Sequence, residues 1–139
     1  MRISCEFDVK KFNTGLLKVK QEIPDATLQG MRIAMENFKY DCLNKPPACP
    51  VDTGRLRDSH EISISKSGNV VSGTLRADTP YAASIHEGIS RWGTPYRYKT
   101  PGTGAKWIQS KILTYHSSYI EEIKKSVFKV FRKWFSSKT

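Results

Sequence analysis

No stretch of this 139-residue chain approaches the ~18 consecutive apolar residues that a membrane-spanning helix requires. The first residues, Met1-Arg2-Ile3-Ser4-Cys5-Glu6, alternate and carry charge, so they read as neither a signal nor a transit peptide. Cysteine is sparse and odd in number: Cys5, Cys42 and Cys49 lack the even count of a disulfide framework and the Cys-x-x-Cys spacing of a zinc knuckle. A Gly-x-Ser-x-Gly elbow is missing, as is a cysteine-protease context. Pro101-Gly102-Thr103-Gly104-Ala105-Lys106 lacks phosphate-loop spacing, and Trp107 stands where the metal-binding hydroxyl would be. What remains there is a glycine turn into a helix whose first turn could accept an anion. Carboxylates are also few, 13 against 23 Lys and Arg, for a formal net charge of +10. The last thirty-nine residues hold eight of the cations and two of the acids. Such an excess favours an acidic partner, whether nucleic acid, anionic membrane or the acidic face of another protein.

The chain is long enough for one domain with its own core. Ile3, Cys5 and Phe7 alternate with polar neighbours, as in a short strand. Asp8 is a candidate N-cap for a helix over Lys10 to Glu22, with Phe12, Leu16, Val19 and Ile23 at helical spacing and Pro24 ending it. Asp25 then caps a second helix carrying the apolar row Leu28, Met31, Met35, Phe38 and Cys42. Pro46, Pro47 and Pro50 force an extended, exposed connection. Ile62 and Ile64 alternate with serines, Ser67-Gly68-Asn69 forms a turn, and Val70 to Ala77 resumes the extended pattern, giving a hairpin. Asp78 or Thr79 can cap a short helix through Ala82 and Ile85 that Gly88 closes. Ile89 to Thr103 reads as a loop with at most one short strand, Tyr96 to Lys99. From Gly104 to about Trp134 the chain reads as helix, with Ile108, Ile112, Tyr119, Ile123, Val127, Val130 and Trp134 near one stripe and Lys111 among its solvated residues. The predicted class is α+β: a small antiparallel sheet packed by N-terminal helices and a long C-terminal helix. Its parts are residues 1–44 (strand and helices), 45–103 (strands and loops) and 104–139 (basic amphipathic helix).

Three segments stand out: Pro50-Val51-Asp52-Thr53-Gly54-Arg55-Leu56-Arg57-Asp58-Ser59, Tyr81-Ala82-Ala83-Ser84-Ile85-His86-Glu87-Gly88, and Pro101 to Trp107. Asp52-Thr53-Gly54 invites an aspartic-protease reading, but that mechanism needs a second carboxylate sharing one proton, which only another copy could bring. The simpler reading is a turn in which a side-chain oxygen of Asp52 or Thr53 meets a following N–H. Arg55 and Arg57 share a face if the backbone is extended and diverge by about 200° if it is helical. Leu56 is the core anchor in either case, and the arginines are surface charges able to grip carboxylates. His86-Glu87 lacks the second histidine of a zinc helix, because Ser90 occupies that position. His86 reads as a polar packing or surface group, and Glu87 as a partner for an arginine of the same or a neighbouring subunit.

Taken in this order, and over residues 45 to 115, the three segments resemble one family: the small head–tail connector, neck or tail-completion proteins of tailed bacteriophages. Members carry a Pro-x-Asp-Thr-Gly-x-Leu-Arg segment, a strand pair, a Tyr-Ala-x-x-x-His/Glu-x-Gly segment and a proline-rich turn into a helix. Asp58-Ser59-His60 and the spacing of Gly93-Thr94 depart from that pattern. The resemblance implies a non-enzymatic virion protein without metal or cofactor, made in the bacterial cytoplasm and placed at the head–tail joint. It implies a ring of copies on the sixfold axis, a hexamer rather than a dodecamer. Adjoining neck or stopper and tail-tube or tail-terminator proteins would be partners, DNA would pass without sequence-specific binding, and no membrane would be engaged. Arg55, Arg57, Glu87, Trp92, Tyr96 and Tyr98 are the expected interface residues. Lys124, Lys125, Lys129, Arg132 and Lys133, interleaved with Phe128, Phe131 and Trp134, could meet an anionic partner. The alternative reading is a basic nucleic-acid-binding module that uses this C-terminal helix.

Overall fold

The computed structural model describes residues 9–68 and 70–135, with only the backbone described at Val9, Lys11 and Phe12. The expected strand before residue 8, the Asp8 cap and Cys5 lie outside those residues. The fold is α+β as predicted. Helix α1 (Val9–Asn44) leads through a short helix α2 (Arg55–Asp58) into strands β1 (His60–Ser67) and β2 (Val70–Ala77). A six-residue helix α3 (Ala82–Glu87) and a long helix α4 (Trp107–Phe135) follow.

One expectation fails at Pro24, where α1 runs on instead of ending. A mid-helix proline removes one hydrogen bond and costs about 3 kcal/mol. Here Val19 and Ala26, on either side of Pro24, are both buried against Val130 of α4, with Ile23 packed beside them. A single apolar surface on α4 therefore holds both halves of α1 in line.

α1 and α4 are antiparallel, since Glu22 pairs with Lys133 while Asp41 meets Tyr119. They approach closely at Gly30, where an added Cβ would stand 2.7 Å from the Ile123 Cα. Only glycine permits that backbone approach. A second face of α1, about 100° round from the first, carries Met31, Met35, Phe38 and Cys42 toward the hairpin. There Ile62, Leu75 and Ala77 pack on a buried cluster of Met35, Phe38, Cys42, Cys49, Leu56, Ala82 and Trp107. The hairpin is in register from His60 opposite Ala77 to Ser67 opposite Val70.

Three further expectations are corrected. The proline-rich connection is not wholly exposed: Ala48 and Cys49 are buried, and Ala48 exchanges backbone hydrogen bonds with Gly102 and Gly104. Neither Asp78 nor Thr79 caps α3; Tyr81 sits at its N-cap without a side-chain bond, and the Thr79 hydroxyl is buried without a partner among the described residues. On α4 the inward row is Trp107, Lys111, Tyr119, Ile123, Ser126 and Val130, while Ile112 is half exposed. Lys111 is thus inside, at the i+4 position from Trp107 on one helix face. Its ammonium donates to the Pro47 carbonyl at 2.8 Å, the Trp107 carbonyl at 3.3 Å and the Ser110 hydroxyl at 3.2 Å. Burial holds its pKa below the usual lysine value.

Candidate interaction site

The three singled-out segments meet around Trp107, which is fully buried. Its indole N–H donates to His60 Nε2 at 3.1 Å. His60 Nδ1 lies 3.0 Å from the Leu56 carbonyl and 3.1 Å from that of Arg57. Carbonyls only accept, so the proton sits on Nδ1 and Nε2 is left to accept from Trp107. That arrangement uses the neutral ring. Burial, chiefly, pushes the His60 pKa down, and the nearby Lys39 and Arg57 charges act in the same direction.

On another side of the indole, the His86 ring meets Trp107 edge-on with centroids 4.8 Å apart. His86 Nε2 lies 3.3 and 3.4 Å from the backbone N–H groups of Ile108 and Gln109, so it accepts from the first turn of α4. The anion site foreseen at that helix start is therefore occupied by the chain's own imidazole. His86 Nδ1 faces Glu87 Oε1 at 3.4 Å, and the other Glu87 oxygen takes the Lys106 ammonium. Lys106, then His86, hold Glu87 below the usual carboxylate range. Glu87 thus finds its cation within the chain, and that cation is a lysine.

The Asp52-Thr53-Gly54 segment is a turn. Gly54 has φ 85°, a left-handed conformation that side chains resist, and Arg55 N–H reaches Thr53 Oγ1 at 3.4 Å. The following residues are helical, so the two arginines diverge and Leu56 is buried between them. Arg57 turns inward, contrary to its expected role as a surface charge. It donates to the Leu43 carbonyl at 2.5 Å and to Asn44 Oδ1 at 2.9 Å, at the end of α1. A cation there satisfies carbonyls that lack intrahelical donors and complements the helix dipole. Arg55 remains exposed.

Arg55 borders a groove of about 560 Å³ between the Pro50–Leu56 stretch and the Tyr96–Thr103 loop, floored by Leu56, Tyr81 and Ile85. Tyr96 and Tyr98 both line it. Tyr98 donates its hydroxyl to the Ile85 carbonyl at 2.6 Å, which fixes the loop over α3. The possible strand from Tyr96 to Lys99 does not form; the loop makes isolated bridges on either side of it, Ile89 with Pro95 and Thr103 with Ala48. Trp92 lies outside the groove at the tip of a tight turn, 79 % exposed, with the Arg91 guanidinium 4.9 Å from its ring.

The five basic candidates on α4 are all exposed but do not act as one patch. Lys124 pairs with Glu121, Lys125 with Glu122, and Lys133 with Glu22. Sequence reading missed His60, whose only signal was its place directly after the Arg57-Asp58-Ser59 turn. It also missed the groove cations Arg97 and Lys99, which alternate with the tyrosines. No helix among the described residues is long and apolar enough to cross a membrane. Compared with known proteins, the chain matches no family model, no curated protein and no solved structure.

Proposed function

We propose that this chain is a structural protein of a tailed-phage virion that forms a ring at the head–tail joint and links neck to tail tube. The observation carrying the reading is the convergence of the three resembling segments, spread over residues 50–107, on one indole and one groove. Those residues are spent on mutual positioning and on framing a recognition surface. Assembly is further supported by the surface: among the described residues, sixteen large hydrophobic side chains are exposed against twelve hydrophobic residues buried. Such a balance suits a subunit whose core is completed by neighbours. Trp92 at its tight turn, with Arg55, Tyr96 and Tyr98 at the groove, are the residues offered to other subunits or to the adjoining ring. Arg57 and Glu87 have internal roles and serve that surface by holding it in place.

Quantitative mass spectrometry of purified particles tests the proposal. About six copies per virion, the number for one closed ring on the tail axis, is the expected result. Absence from intact particles overturns it. DNA binding that weakens steeply with salt, together with that absence, would favour the α4 nucleic-acid reading.

A further inference from the structure

The groove carries an excess of positive charge. Arg55, Arg97 and Lys99 line it with only Asp52 opposing them among its charged residues. None of the three cations has an ion-pair partner among the described residues. The chain's acids are committed elsewhere: of eleven described carboxylates, eight sit in ion pairs with cations that do not line this groove. A second feature concerns the backbone. Tyr96 N–H bonds to the Gly88 carbonyl, but the N–H groups of Arg97, Tyr98 and Lys99 reach no backbone carbonyl among the described residues. A run of free donors and acceptors beside a groove is an open edge that an extended peptide can pair with. A nucleic-acid strand offers the charge but lacks the alternating amide pattern.

We propose that this groove docks an acidic, extended segment of a partner protein. The partner's carboxylates would meet Arg55, Arg97 and Lys99, its backbone would run along Arg97–Lys99, and an apolar side chain would cover Tyr81 and Ile85. The inference rests on the assembly reading for the face that it uses, and it names the chemistry of the partner. A further copy of this chain is disfavoured as the occupant, because its own net charge of +10 is of the wrong sign.

A library of random twelve-residue peptides, selected on the purified full chain, tests this without any virion. The expected binders carry two or more Asp or Glu around a large apolar residue. They lose at least tenfold in affinity against Arg97→Glu/Lys99→Glu, and keep it against Lys129→Glu on α4. Both groove cations are exposed, and the far-ultraviolet dichroism of each variant checks that the fold is kept. Tyr96→Ala, which alters no charge, is expected to weaken the same peptides. Selection of no peptide above background, of neutral or basic sequences, or of peptides indifferent to charge reversal overturns the proposal. So does an oligothymidylate that needs the same cations where no peptide does. Failure here with six copies per particle would leave the ring reading standing; success without virion incorporation would leave the groove and remove the ring.

Discussion

Replacing Trp107 by Phe probes the link on which the three converging segments depend. The change removes the indole N–H that His60 Nε2 accepts at 3.1 Å, inside a region where both side chains are almost fully buried. No water reaches an acceptor buried in this way, and leaving it unsatisfied costs about 1–3 kcal/mol. The smaller ring also leaves a void worth on the order of 1 kcal/mol. Together these give a loss of about 2–4 kcal/mol. With an unfolding entropy of about 2 cal/mol/K per residue, the melting temperature should fall by about 7–14 °C. The assay is thermal unfolding followed by dichroism at pH 7.5, for the parent, Trp107→Phe, His60→Leu and the double variant. If the hydrogen bond is the cause, the two single losses will not add, and the cycle will show a coupling of about 0.5–3 kcal/mol. A drop below about 2 °C for Trp107→Phe, or losses that add to within about 0.3 kcal/mol, would refute the reasoning.

Acid should weaken the same site. The folded state resists a proton on His60 that the unfolded chain accepts. Stability is then whole above about pH 6.5, the ordinary imidazole value. It falls as the pH drops below that value, by at most about 1.4 kcal/mol per pH unit. Urea titrations between pH 7.5 and 5 should show the decline, and His60→Leu should flatten it. Gly30→Ala places a Cβ 2.7 Å from the Ile123 Cα, so the helices must separate. A loss of about 1–3 kcal/mol is expected, and an unchanged midpoint would contradict the packing. Arg57→Ala strips two charged hydrogen bonds from the end of α1, for about 1.5–3 kcal/mol of chemical-denaturation stability. The surface change Arg55→Ala should stay within about 0.5 kcal/mol. Cys42 and Cys49 are fully buried, and burial pushes both thiols up to about 12. A thiol reagent at pH 8 should therefore leave both unmodified in the native chain and reach them after unfolding; rapid native labelling of either, located by peptide mapping, would contradict that.

The hairpin could be read from sequence because its information is local. Ile62 and Ile64 alternate with serine, and a glycine-containing turn joins them to an equal strand. Leu56 as a core anchor and Gly88 as the end of α3 were legible for the same reason. The apolar row of α1 was visible at helical spacing, but the continuity of the helix was not. Pro24 sets the local preference, and a surface more than a hundred residues away, on α4, overrides it. The inward lysine followed the same logic: Lys111 repeats the position of Trp107 one turn on, yet its charge marks it as solvated until the Pro47 carbonyl arrives from across the chain.

At the candidate site the chain by itself singled out the segments that come together, and the tertiary structure added His60, Arg97 and Lys99 and decided what each residue contacts. Arg55 and Arg57 are equivalent in composition and two residues apart. The helical turn sends one to the groove and the other to the end of α1, where unpaired carbonyls are waiting. His86 read as a polar packing or surface group and Glu87 as a partner for an arginine, and the approach of α4 made the first a helix cap and the second the anchor of Lys106. Composition set the sign of the surface charge, with too few acids to neutralise it. Where that charge is left unpaired, and so where a partner can act, is a matter of which acids the fold brings within reach of which cations.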